Sequence, residues 1–371
     1  MNKKAVKKIG LITLHSFYNY GSMLQAYALN HYLNVFDDSY ECELIDYVPP
    51  RQDNNRSYAL YKNDDEYFDL KEKYKLDLEK RKKCFSKFMK LYTMGAIRYG
   101  SDEEIESKPP IYDAYISGSD QIWNVNFRIA SRAYFLSFAN SGKKYAFATS
   151  IGRCTCEKLE PYVKYISRFD KIFIREESGI ERIKEITNRN DVRLMSDPTM
   201  LLGRDSWEKL IPEVRFKSKK YIACYATLDE QLDDMLPILD ELHYKTGYEV
   251  ILFGMTLPRV RPYITNIVAA GPFEFLHIIH DASFVLTHSF HGTVFSIIFN
   301  VPFLTFNDDT ANFRKTSLLQ RFSLTGRIIH CSDDIDKALS CKIDFKTVNK
   351  LVAEYSDKAK KDIALSLEGV K

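Results

Sequence analysis

The chain reads as an α/β protein of two doubly wound domains whose sheets face each other. Two observations predict this class. Short apolar strands alternate with amphipathic helices in both halves, and 371 residues exceed what one ordinary core supports. The alternation breaks over residues 51–108 and then resumes, so one stretch stands apart from the two sheets.

The first unit of the pattern is strand, loop, helix. Residues 8–14 form a short apolar run, 15–21 a polar and aromatic loop, and Met23, Leu24, Ala26, Tyr27, Leu29, Tyr32 and Leu33 repeat at helical spacing. The basic N-terminus before this run resembles a secretory leader, but residues 9–14 are too few for its apolar core and His15 interrupts them. A second strand over 42–47 ends at Pro49-Pro50, which cannot continue a ladder. Residues 51–108 carry many charges, with Phe85, Phe88, Met89 and Tyr92 at helical spacing and a basic excess from Lys71 to Arg98. A solvated helical excursion is expected there, with docking on an anionic membrane surface or lipid-linked substrate as the sharper alternative.

Strands are expected again at 114–117, 144–149 and 171–175, and Ser196-Asp197-Pro198-Thr199 is a turn. The second half alternates strands at 221–225, 249–253, 283–287 and 302–306 with helices at 229–246, 272–280 and 291–299. The expected domains are residues 1–213, including the excursion, and residues 214–345. A C-terminal helix over 346–371 would pack back on the first domain.

A formal charge of +3 is small for this length and argues against a nucleic-acid partner. No run of eighteen apolar residues is present, so no membrane span is expected. Hydrophobic residues at 45% and charged residues at 28% fit a folded globular chain. The seven cysteines lack metal spacing, and free thiols in a reducing cytoplasm are expected, with no metal. Oligomeric state is not legible.

In doubly wound sheets, ligands sit beyond the carboxyl ends of strands. Three strand-to-helix loops are rich in hydrogen-bonding groups: 15–22, with Asn19, Tyr20, Gly21 and Ser22; 117–124, with Ser119, Asp120, Trp123 and Asn124; and 287–293, with His288, Ser289, His291, Gly292 and Thr293. A histidine in the first turn of a helix lies beside free N–H donors, where an incoming anion would favour its protonated form. Arg175 closes an apolar strand, and its guanidinium fork suits carboxylate or phosphate. Each loop also has a plain structural reading as a helix cap, and Arg175 as an ion pair.

Together these segments resemble the polysaccharide pyruvyl transferase family. The match runs through Gly10-Leu11-Ile12-Thr13, then the segment from Asn19-Tyr20-Gly21-Ser22 to Leu29. It continues through Ser117-Gly118-Ser119-Asp120-Gln121-Ile122-Trp123-Asn124, Arg175-Glu176, Asp197-Pro198-Thr199 and Ser289-Phe290-His291-Gly292-Thr293, ahead of Pro302-Phe303. The resemblance implies two Rossmann-like domains in a GT-B-like arrangement, with the active site in the cleft between them. It implies phosphoenolpyruvate as donor, no cofactor, and a carbohydrate acceptor that is free or lipid-linked. The enzyme would work in the cytoplasm, or peripherally at the inner face of the membrane.

On this resemblance His291 matches the family's active-site histidine and Arg175 its donor-binding arginine; for the chemistry, His291 is expected as general acid and Asp120 as the base or hydroxyl-orienting group. Arg175, Ser289, Gly292 and Thr293 would bind donor, while Asn19, Tyr20, Gly21, Ser119, Trp123 and Asn124 would line the acceptor. Some members carry an arginine where this chain has Ser289, so Arg314 and Lys315, or Arg259 and Arg261, would supply the missing charge. A GT-B glycosyltransferase using a nucleotide sugar and a non-catalytic carbohydrate-binding relative remain open readings of the same residues.

Overall fold

The computed structural model describes residues 6–49, 64–127, 129–213, 219–227, 230–254, 261–306, 313–330 and 334–370. It divides into two compact units, the first formed by Met1–Asp53, Met89–Leu202 and Ala353–Lys371, the second by Asn54–Phe88 and Gly203–Val352.

The first unit holds a seven-stranded parallel sheet. Its strands are β1 (Lys7–Ile12), β2 (Tyr40–Tyr47), β3 (Met94–Tyr99), β4 (Ala114–Ser117), β5 (Lys143–Thr149), β6 (Lys171–Ile174) and β7 (Arg193–Leu194), in the order β3-β2-β1-β4-β5-β6-β7. The second unit holds β8 (Tyr221–Tyr225), β9 (Glu249–Phe253), β10 (Ile264–Ile267), β11 (Phe284–Thr287), β12 (Phe303–Phe306) and β13 (Ile328–Ile329), also parallel, in the order β10-β9-β8-β11-β12-β13. Every residue of β4, β8, β11 and β12 is buried, which is why these strands read as continuous apolar runs without alternation. Both sheets have the doubly wound order in which the chain starts centrally, winds to one edge and returns to wind to the other. The reversal falls between β1 and β4 in one unit and between β8 and β11 in the other. Loops leaving those strands at their carboxyl ends are where such a sheet binds ligand.

The excursion differs from expectation in two ways. Residues 94–99 are not helical but form edge strand β3, half of whose residues are exposed, so it lacks the apolar pattern of a buried strand. Residues 64–88 group with the second unit, where the sequence assigned them to the first. The cause is the apolar face of helix Asp64–Met89: Phe85 and Phe88 are fully buried, and Phe88 meets Phe273 edge-on at 5.1 Å. The second unit begins at Gly203 rather than 214, where Trp207 packs against Phe295 at 5.0 Å. Strands β7, β10 and β13 were also missed, being two to four residues long. At the C-terminus, helix Phe345–Leu367 places residues from Ala353 onward with the first unit, where Tyr40 donates to the Leu367 carbonyl at 2.9 Å.

Candidate active site

In the first unit the reversal point is built by backbone proximity. Gly118 follows β4, and a Cβ there would stand 2.6 Å from the Leu11 side chain and 3.2 Å from Thr13, so only glycine lets the ends of β1 and β4 meet this closely. Thr13 then donates to the Ser119 carbonyl at 2.9 Å, and Gln25 donates to Thr13 Oγ1 at 3.0 Å. This lattice delivers Asp120 with a backbone φ of 73°, a left-handed conformation that aspartate tolerates better than most residues. The Asp120 carbonyl accepts from Ser150 N at 2.9 Å, and Asp120 bridges Thr149 at the irregular end of β5. Its carboxylate accepts from Ser22 Oγ at 2.6 Å and from Gln121 N at 2.8 Å. Ser22 sits in the first turn of helix Tyr20–Val35, so that helix start and the β4 loop share one buried carboxylate.

Arg175 is less open than its sequence position suggested. Its Nη1 donates to Asp197 Oδ2 at 2.5 Å and its Nη2 to Asp120 Oδ1 at 3.4 Å, with all three residues buried. Burial works against the guanidinium charge, but Asp197, Asp120 and Glu176 outweigh it and hold the pKa above its ordinary value. Neighbouring Glu176 accepts from Ser150 Oγ at 3.0 Å and Ile151 N at 2.9 Å. Asp197, capping the short turn Pro198–Met200, also accepts from Thr199. Three carboxylates around one guanidinium make this an acidic pocket of the fold, poorly suited to a multiply charged anion. In this structure Arg175 braces Asp197 to Asp120.

Several of the expected acceptor residues also hold the fold together. Trp123 is fully buried, its indole N–H donating to Ser117 Oγ at 3.0 Å and its ring stacked on Phe135 at 5.2 Å, so no sugar face can reach it. Asn124 donates to Gln121 Oε1 and accepts from Asn126 N and Cys154 Sγ, bracing its own loop. Tyr20 is buried at the helix start, and Gly21 is buried beside it. Asn19 is exposed but caps the helix, accepting from Ser22 N at 3.0 Å. Among the described residues the Ser119 hydroxyl, fully buried, has no hydrogen-bond partner.

Sequence reasoning missed a pair at the ends of β1 and β2. His15, fully buried, sets Nδ1 at 3.1 Å from the Thr13 carbonyl and Nε2 at 3.1 Å from Asp46 Oδ1. The ring thus bridges the Thr13 carbonyl and the Asp46 carboxylate. Burial would raise the Asp46 pKa, but the His15 hydrogen bond, the His15 charge and Arg98 bring it below the ordinary carboxylate value. The signal was available as a histidine just beyond a buried strand, in a loop already singled out.

In the second unit β11 delivers Thr287, His288 and Ser289 to helix Phe290–Ile298. A Cβ on Gly292 would meet Thr287 Oγ1 at 2.5 Å, so glycine is what seats the helix start against the strand end. Ser289 is the N-cap: its Oγ accepts from Gly292 N at 3.3 Å, which leaves its O–H as a donor. Thr293 turns its fully buried hydroxyl to the Ser289 carbonyl and Thr305. His288 stacks on Phe306 at 4.2 Å, and His291 lies in the first turn, edge-on to Phe290 at 5.2 Å.

Positive charge converges on this helix start. Lys315 is buried and donates to the His288 carbonyl at 2.8 Å and to the Phe306 carbonyl, joining the carboxyl ends of β11 and β12. The Arg314 guanidinium lies 5.6 Å from the Phe290 ring centroid. With the positive end of the helix dipole, these two cations favour an anion. Arg261 is instead half-exposed and pairs with Asp240, while Arg259 lies outside the described residues. Among the described residues no group of three or more histidine, cysteine or acidic side chains is placed to hold a metal. The six described cysteines are free, and burial pushes the Cys42 thiol up to about 12.

Two Rossmann-like sheets, each with its chemistry at the carboxyl ends beside the reversal point, define a GT-B-like protein. Solved structures agree. A Listeria monocytogenes protein described as a UDP-N-acetylglucosamine 2-epimerase matches with a TM-score of 0.58 at 12% identity over 94% of this chain and 91% of that one. The Rickettsia bellii UDP-N-acetylglucosamine 2-epimerase gives 0.57 at 11% over 99% and 97%. The Neisseria meningitidis enzyme, bound to UDP-GlcNAc, gives 0.56 at 10% over 97% and 99%. At such identities the likeness concerns the fold. No curated protein matches the sequence significantly. The model of the polysaccharide pyruvyl transferase family matches residues 19–310, and the chain belongs to that family, making it a transferase acting on polysaccharide.

Proposed function

We propose that this protein transfers a pyruvyl group from phosphoenolpyruvate to two hydroxyls of a carbohydrate, closing a ketal. The observation that carries this reading is the family match, which spans both the Asn19 and the His291 helix starts. Phosphoenolpyruvate carries a phosphate and a carboxylate, and the helix start at His291, with Arg314 and Lys315 nearby, is the cationic candidate for holding them. The acidic cluster around Asp120 suits neutral hydroxyls instead, so we assign the acceptor there and give Arg175 the role of fixing the Asp120 carboxylate.

In this scheme His291 gives a proton to the methylene carbon of the donor, leaving a cationic centre at the neighbouring carbon. The first acceptor hydroxyl adds there as its proton passes to Asp120. The second hydroxyl then adds, the carbon–oxygen bond to phosphate breaks, and phosphate leaves with that electron pair. Of the two hydroxyl protons, one replaces the proton His291 gave and the other departs with phosphate. The acceptor is a free or lipid-linked precursor of a cell-surface polysaccharide, and the reaction is placed in the cytoplasm, where the buried free thiols would persist.

Thermal denaturation with phosphoenolpyruvate or with UDP- and GDP-sugars separates this scheme from a nucleotide-sugar transferase. A donor at about 100 times its Kd adds roughly 2.7 kcal/mol. Stabilisation by phosphoenolpyruvate alone supports the proposal. Stabilisation by a nucleotide sugar alone contradicts it, and binding of a glycan with neither donor would mark a non-catalytic relative.

A further inference from the structure

Helix Asp64–Met89 is 26 residues long, roughly 39 Å at the standard helical rise. Its buried side carries Arg81, Phe85 and Phe88 against the second unit. Its other side exposes Lys75, Lys80, Lys82, Lys83 and Lys87, with Glu79 as the acid among them. At about 100° per residue these five lysines fall within an arc of roughly 160°. Leu76 lies inside that arc and is 70% exposed, among the most exposed large apolar side chains described. Lys80 is 3.1 Å from Asp77, and Lys87 lies 5.5 Å from the Phe273 ring, so two of the five are steadied by their neighbours. The whole chain carries only +3, so the basic surplus on this face is a local segregation of charge.

The chemistry of the face selects its partner. Every described exposed cation on it is lysine, while Arg81, whose fork would read individual phosphates, is buried on the opposite side. A row of flexible point charges on a convex helix complements a diffuse anionic sheet and offers no groove for a single strand or peptide. Leu76, inside the arc, adds one apolar side chain where the lysines would meet the headgroups. We propose that the lysine face of helix Asp64–Met89 docks this protein on an anionic lipid membrane, with Leu76 entering the interface. This docking is independent of the donor and of the reaction, and would bring a lipid-linked acceptor within reach.

The test is flotation of the full-length protein with vesicles of phosphatidylcholine, alone or with about a third phosphatidylglycerol. The wild type should float only with the anionic vesicles, and raising salt to about 0.5 M should release it. Each lysine near such a surface contributes roughly a fivefold factor in partitioning, so the triple variant Lys80→Gln, Lys82→Gln, Lys83→Gln should lose about a hundredfold. Its melting curve should match the wild type, because all three side chains are exposed. Leu76→Ser, which keeps every charge, should bind more weakly and be released at lower salt. Wild type that stays down with anionic vesicles at low salt overturns the proposal, as does a triple variant that floats like the wild type. Binding to a soluble anionic polysaccharide or oligonucleotide, without vesicle binding, reassigns the face and overturns it too.

Discussion

Arg175 donates to Asp197 at 2.5 Å and to Asp120 at 3.4 Å, so one buried guanidinium ties the loop after β7 to the loop after β4. The tie fixes Asp120, whose carboxylate also takes a hydrogen bond from Ser22 at 2.6 Å. Removing the cation strands two carboxylates in a dry site. Arg175→Ala should lose about 3–5 kcal/mol in urea unfolding. Arg175→Lys keeps the charge but not the fork and should fall between the variant and wild type. An unchanged midpoint for Arg175→Ala would mean that the guanidinium is not the brace described.

Trp123 supplies the converse case. Because its ring is enclosed by Phe135 and Phe169, truncation acts on the core. Trp123→Ala should destabilise by about 3–5 kcal/mol. Trp123→Phe, milder in volume, should leave the acceptor KM unchanged. A large rise in KM with normal stability would restore sugar stacking as its role.

The His15–Asp46 pair predicts a pH signature. Asp46 is mostly buried, with its folded pKa held below the unfolded value, so its contribution is complete above the ordinary carboxylate pKa. It is lost as pH falls through the lowered folded value. A hydrogen bond to a charged group is worth about 2 kcal/mol, and Asp46→Asn should cost roughly that at pH 6. The gap between wild type and variant should close below about pH 4. A gap that stays constant between pH 6 and pH 3 would exclude the pair as its source.

How far the sequence carried depended on burial. Strands β4, β8, β11 and β12 are buried on both faces, and the loops after β4 and β11 announced themselves as polar clusters beyond apolar runs. Edge strands β3 and β10 expose much of their surface and carry no such pattern. Individual roles were harder to read than positions. A serine can cap a helix, bind a phosphate or do both, and only the structure shows that Ser289 caps, accepting from Gly292 N at 3.3 Å. Long-range partners were invisible: Asp197 and Arg175 are 22 residues apart, Ser22 and Asp120 98 apart.

The charge at the second helix start yields a kinetic prediction. Lys315→Met keeps much of the side chain's length without its charge, and should raise the KM for phosphoenolpyruvate at least about tenfold, the loss of one charge-assisted contact. Arg314→Ala should raise it less, since Arg314 is half-buried and stacks on Phe290. An unaltered donor KM in both variants would remove the cationic helix start from the donor site.

The most direct test of the central claim is turnover itself: purified protein, phosphoenolpyruvate and polysaccharide precursor, with phosphate release and product mass followed together. Phosphate should appear only when acceptor is present, and each modified acceptor should gain one pyruvate less one water. His291→Ala should lower kcat by roughly 10²–10⁴ with an unchanged melting temperature. Release of a nucleoside diphosphate from a nucleotide sugar, with phosphoenolpyruvate left intact, would contradict the account.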